Sequence, residues 1–148
     1  MARHTFFSFH HQLDNWRAGQ VRNSWVTQDR VDAGFWDAAE WEKVKKLDKA
    51  SIQNWIDGQM KGTSVTVVLI GAETSQREHV KYEISQSVLL GKGMLGIYVH
   101  NVKNKEGLTT YQGSNPLPSG YPTYNWIFDD GRANIGSWIE AAAKKAGK

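Results

Sequence analysis

The residue types that do most protein chemistry are unevenly represented in this chain. It contains no cysteine, so thiolate nucleophiles, disulfides and Cys-ligated zinc or iron–sulfur centres are excluded. The five histidines, His4, His10, His11, His79 and His100, include no pair at helical i, i+4 spacing. Adjacent His10 and His11 would point to opposite sides if they prolong an extended strand, so a metal site would need long-range assembly and none is expected. Gly91, Gly93 and Gly96 reproduce the dinucleotide-binding spacing G-x-G-x-x-G. That motif works only with a strand before it and a helix after it, so that a helix N-terminus meets the pyrophosphate. Here the order is reversed, and Gly91 reads as a helix stop and Gly96 as a small residue inside a strand. No G-x-x-x-x-G-K-[ST] loop and no G-x-S-x-G elbow is present. One acidic residue stands out by position: Glu83 falls between Val80 and Ile84 on a helical wheel, at the edge of an apolar stripe. A carboxylate there is partly desolvated and acts strongly on any charge beside it. Position alone fits equally an ordinary boundary residue paired with a neighbouring Lys or Arg, and favours that plainer reading.

The elements that must hold such a residue are legible from periodicity. Thr5 to Phe9, Ser64 to Ile70 and Met94 to Val99 read as strands, near-continuous in β-branched and aromatic residues, as expected of a parallel sheet covered on both faces. Tyr124 to Phe128 reads as a last short strand. Parallel strands need crossovers, and the intervening segments supply them. Ser75 with Glu78 forms a capping box that opens a helix carrying Val80, Ile84 and Val88 on one stripe until Gly91. Asp37 with Glu40 caps a short helix bearing Trp41 and Val44. A helix after Asp48 uses Ile52, Trp55, Ile56 and Met60 and stops at Gly62. The last uses Ile135, Trp138, Ile139 and Ala142, with lysines in its final turn where they complement the helix dipole. Residues 101 to 123, holding all three prolines, form a long loop. The alternation predicts a doubly wound α/β domain, with ligands at the carboxyl ends of its strands.

Composition bounds the rest. A chain of 148 residues, 40% hydrophobic and 11% aromatic, fits one folded domain spanning 1–148. Eighteen Lys and Arg against fifteen Asp and Glu give +3, and the basic residues are scattered, so no nucleic-acid partner is expected. No apolar run approaches the ~20 residues that cross a bilayer and no secretion signal opens the chain, so a cytoplasmic protein without membrane attachment is expected.

Several ordered blocks then carry a resemblance: Phe6-Phe7-Ser8-Phe9-His10, Val21-Arg22-Asn23-Ser24-Trp25-Val26, Thr63 through Gly71, Val80-Lys81-Tyr82-Glu83-Ile84, and Gly96 through Asn101. Together they resemble the TIR-like proteins of the Thoeris antiphage system, over about the first two thirds of the chain. The resemblance implies a flavodoxin-like TIR fold and an NAD+-consuming enzyme of the NAD+ nucleosidase or ADP-ribosyl cyclase type. Such an enzyme, set off by a phage-derived trigger, releases nicotinamide and an ADP-ribose-derived signal that activates a separate effector protein. It implies Glu83 as the catalytic residue, the glutamate of a motif resembling Trp-x-x-x-Glu. His79 stands where tryptophan is common.

That chemistry needs little else. The nicotinamide of NAD+ is cationic and departs neutral, so no acid has to protonate it, whereas glycosidases with alkoxide-like leaving groups require one. A fixed carboxylate stabilises the positive charge that builds on the ribose, and no cofactor is expected beyond NAD+ itself as substrate. Around it, Ser8, Phe9 and His10 end the first strand. Phe9 could stack on a base or on nicotinamide, and Ser8 and His10 could bind ribose or phosphate. Arg22 suits pyrophosphate, because its planar fork pairs bidentately with phosphate oxygens. Asp37, Trp41 and Tyr82 could line the cleft, although Trp41 at helical spacing fits core packing better. A homo-oligomer is compatible with this picture. A non-enzymatic adaptor on the same fold is the alternative. A receiver-like phosphorylation switch is weaker, since the first strand ends in Phe-Ser-Phe-His-His without an acidic Mg2+ pocket.

Overall fold

The computed structural model describes residues 4–26, 32–33 and 43–148. Five strands, β1 (Thr5–Ser8), β2 (Asp32–Ala33), β3 (Val65–Ile70), β4 (Gly93–Tyr98) and β5 (Thr123–Asn125), form one sheet in the order β2-β1-β3-β4-β5. Every neighbouring pair is parallel, with Thr5 opposite Asp32 and Val65, Val65 opposite Gly93, and Gly96 opposite Thr123. This is the strand order of a flavodoxin-like sheet, and the chain reverses direction across it between β1 and β3. The described helices are α1 (Asn15–Val26), α2 (Lys49–Met60), α3 (Glu78–Leu89) and α4 (Gly131–Lys145).

Because side chains alternate along a strand, each strand feeds both faces. Phe7, Val65, Val67, Leu69, Leu95 and Ile97 pack with Ala18 and Val21 of α1 and with Ile135 and Ile139 of α4. On the other face Phe6 packs with Ile56 and Met60 of α2, while Val68, Ile70 and Met94 pack with Val80 and Ile84 of α3. Helices therefore cover both faces, which explains why β3 is buried at all six positions.

The helix signals fare differently. Asp48 caps α2 by accepting the Ser51 N–H at 2.7 Å, and Gly62 follows at φ +81°, a left-handed stop that glycine takes without a Cβ penalty. Gly91 likewise ends the α3 region at φ +66°. The expected capping box at Ser75 does not form. Ser75 lies in a 3-10 turn, Thr74–Gln76, and α3 starts at Glu78 with Arg77 before it and no side-chain cap. The start is therefore two residues late, because Thr74 folds inward, its Oγ1 accepting the Gly71 N–H at 2.8 Å. The buried stripe of α3 is correspondingly rotated to His79, Val80, Glu83, Ile84 and Ser87, leaving Val88 45% exposed. Helix α1 escapes a hydrophobicity reading because half of its buried face is polar: Arg17 and Ser24 accompany Ala18 and Val21. The expected Asp37/Glu40 cap lies outside the described residues; Val44, just beyond, is buried beside Ile56. Gly96 is indeed strand-internal, and an added Cβ there would lie 2.5 Å from Leu117 Cδ1.

Candidate active site

Glu83 sits at the middle of α3, on the face that meets the sheet, and is 0% exposed. It is thus deeper than the stripe edge expected from its wheel position, because the rotated register of α3 turns it straight onto β1. Ser8 is the last residue of β1 and shares its face with Phe6; its Oγ donates to Glu83 Oε1 at 2.5 Å. The other carboxyl oxygen, Oε2, has no hydrogen-bond partner among the described residues. One turn on, Ser87 Oγ donates to the Glu83 carbonyl at 2.8 Å, which leaves Thr66 Oγ1 as the donor in its 2.7 Å contact with Ser87. Glu83 and Ser87 from the helix therefore meet Ser8 and Thr66 from the sheet in a polar seam within an apolar layer.

Burial dominates the electrostatics of this seam. It pushes the Glu83 carboxyl up to about 8, against smaller opposing effects of the Ser8 hydrogen bond and the positive charge of Lys92. Lys92, just before β4, is 4% exposed, and burial pushes its ammonium down to about 7, opposed by the Glu83 charge. Lys92 is the residue that sequence reasoning missed. It precedes an apolar strand, where a lysine ordinarily reaches solvent, and nothing local signals that this one does not.

A cleft of about 460 Å³ opens between α2 and α3, lined by residues including Lys45, Lys49, Arg77, His79 and Tyr82. His79 and Tyr82 of α3 line this cleft, whereas Glu83 and Ser8 do not. The Tyr82 hydroxyl donates to Asp57 Oδ1 at 2.7 Å, and Tyr82 lines the cleft. His79 is buried with Nε2 at 3.1 Å from the Phe9 carbonyl, an acceptor only, so Nε2 carries the proton. Burial pushes His79 down to about 4 and His11, whose ring stacks on it at 5.1 Å, down to about 2. Both are neutral at physiological pH. The Arg77 Nε is buried without a hydrogen-bond partner among the described residues, and Lys49 pairs with Glu78 at 3.3 Å.

Other expected site residues are placed elsewhere. Phe9 is fully buried in the core between the sheet, α1 and α4, on the face away from Glu83, and no base can stack on it. Its position is that of a strand residue whose side chain alternates away from Ser8. Arg22 belongs to α1, which covers that same opposite face, so it does not join the Glu83 site. The cations at the cleft are Arg77, Lys45 and Lys49 instead. His10 is buried just past β1, where its Nδ1 accepts the Leu13 N–H at 3.1 Å. Burial, then the Arg77 charge, lower its pKa. Because β1 ends at Ser8, neither His10 nor His11 continues a strand. Asp37 and Trp41 lie outside the described residues.

A doubly wound parallel sheet in this order, with a carboxylate from a crossover helix turned onto the end of β1, defines an α/β domain of the TIR-like class. Residues 6–104 match the family described as Thoeris protein ThsB, TIR-like domain, and the chain belongs to that family. A relative from Bacillus cereus (strain MSX-D12), named "Putative cyclic ADP-D-ribose synthase ThsB1", is 38% identical over 140 residues, covering 93% of this chain and 72% of the relative. Among the described residues, no helix is long and apolar enough to cross a membrane.

Proposed function

We infer that this protein cleaves the nicotinamide–ribose bond of NAD+ and turns the ADP-ribosyl part into a signal, in antiphage defence. The observation that carries the reading is the Glu83 carboxyl, buried against Ser8 on the helix that forms one wall of a cleft bordered by cations. The name of the Bacillus cereus relative adds the cyclic ADP-D-ribose product class. In this reading the nicotinamide ribose lies against α3 near His79 and Tyr82, and the pyrophosphate meets Arg77, Lys45 and Lys49 at the start of α3. As the C1′–N bond breaks, its electron pair leaves with neutral nicotinamide, and the negative Glu83 carboxylate stabilises the ribosyl cation that remains. An internal nucleophile of the ADP-ribosyl group then closes the ring, or water opens the linear product.

The buried carboxyl group supplies a means of control. In the closed arrangement it holds its proton at neutral pH, with pKa about 8, and the cleft does not reach it. Entry of cationic NAD+ beside it favours the carboxylate, because an opposite charge lowers the pKa. A phage-derived trigger acts by uncovering Glu83 to the cleft, and the released signal acts on a separate effector.

Nicotinamide release from NAD+ by the purified full chain, with and without lysate from phage-infected cells, tests the proposal. Release that appears with the trigger and vanishes in Glu83→Gln is the expected result. Intact NAD+ under all conditions with folded protein, or undiminished phage defence in cells carrying Glu83→Gln, overturns it, and the second outcome selects the adaptor alternative.

A further inference from the structure

A second cavity, separate from the cleft, adjoins the C-terminal ends of α2 and α3. It measures about 610 Å³ and is lined by residues including Asp57, Lys61, Gln86, Lys92 and Lys148. We propose that this cavity is a binding site for a phosphate dianion, free or carried as a monoester, with the buried ammonium of Lys92 as its anchor.

Lys92 is nine-tenths buried and lines the cavity, yet its Nζ has no hydrogen-bond partner among the described residues. Its one defined contact is the Phe6 ring, whose centroid lies 5.4 Å away. An ammonium withdrawn from water without an acceptor is costly, and an apolar side chain of the same length would avoid that cost. The groups that face it come from every element around it. Glu83 of α3 attracts it and Lys148, beyond α4, repels it, while Asp57 and Lys61 at the end of α2 line the same cavity. Asp57 is already engaged by the Tyr82 hydroxyl. Among the side chains lining the cavity, three lysines face the one carboxylate of Asp57, so surplus positive charge remains and grows as Lys92 takes up its proton below pH 7. A dianion supplies acceptors for Lys92 and offsets its repulsion with Lys148, and phosphate is suited because each oxygen accepts more than one hydrogen bond. The cavity has room for a sugar-sized substituent on that phosphate.

Calorimetric titration of the full chain tests this with three probes: ribose 5-phosphate, inorganic phosphate and sulfate. Saturable binding of ribose 5-phosphate or inorganic phosphate is expected, and whichever binds more tightly identifies the source. Lys92→Met is expected to weaken it by about tenfold or more and Lys61→Ala by about threefold, while Lys103→Ala, at an exposed position of the long loop, leaves it unchanged. Sulfate stays dianionic from pH 5 to 9, so its binding should tighten as pH falls from 8 to 6 in the wild type and not in Lys92→Met. Absence of saturable binding, binding indifferent to both lysine substitutions, or binding abolished by saturating NAD+ overturns the proposal. Should Lys92→Met fail to fold, Lys61→Ala at its exposed position decides alone.

Discussion

Glu83 raises stability and chemistry questions with opposite answers. Its carboxyl binds a proton up to about pH 8 when folded, against an ordinary value of 4.5. The native state therefore holds more protons than the unfolded chain between those limits, and stability falls as pH rises from about 4.5 to 8. Lys92 acts the other way: with its pKa lowered to about 7 from 10.5, it lets stability recover as pH climbs above 7. Glu83→Gln removes the first effect. Melting curves from pH 4 to 8 should show the variant little changed at the acid end and progressively more stable than wild type above pH 5, by on the order of a few kcal/mol at pH 8. The same substitution should reduce nicotinamide release by about a hundredfold or more, as measured by chromatography of the products. Ser8→Ala takes away the hydroxyl that favours the carboxylate form. The rising limb of kcat/KM against pH, expected near 8, should then move to higher pH. His11 and His79, held neutral at about 2 and about 4, should contribute no limb near 6.5 to the wild-type profile.

At the scale of elements, caps and close approaches decide whether α2, α3 and α4 dock where the site needs them. Asp48→Ala removes the side-chain cap of α2, the helix forming one wall of the cleft, and should lower the denaturant midpoint of unfolding. Gly93 begins β4 directly under α4. A Cβ there would lie 2.5 Å from the Ala142 carbonyl oxygen, a backbone atom that cannot swing aside. Gly93→Ala should therefore cost about 1–3 kcal/mol, read from the same unfolding curves.

Across the whole molecule, a buried arginine of α1 helps hold the long loop after β4. Arg17 of α1 donates from Nε to the Val102 carbonyl at 2.6 Å and from Nη2 to the Leu108 carbonyl at 2.9 Å, while Nη1 pairs with buried Asp14 at 2.9 Å. Gly113 of the same loop backs onto Gly71 just after β3, leaving no space for a Cβ. The loop is therefore a fixed part of the sheet's carboxyl edge. Arg17→Met removes the donor from four acceptors, the carbonyls of Leu13, Val102 and Leu108 and the buried Asp14 carboxyl. Hydrogen exchange at residues 101–110 should accelerate by about tenfold or more, while α2 and α3 keep their protection.

Periodicity and composition by themselves determined the layered α/β architecture, the three long parallel strands, the Asp48 and Gly62 limits of α2, and the glutamate to single out. These rest on alternation, apolar stripes and local turn chemistry, which are interactions between residues close in the chain. Resemblance across ordered blocks supplied the family, and the match over 6–104 bears it out. Only the tertiary structure decided that Phe9 and Arg22 belong to the face away from Glu83, that Arg77 joins Lys45 and Lys49 at the cleft, and that Lys92 is buried at all. Which face a residue joins depends on where β1 ends and how α3 is rotated on the sheet. Those are set by packing between segments some 75 residues apart, such as Ser8 and Glu83, for which the local pattern carries no signal.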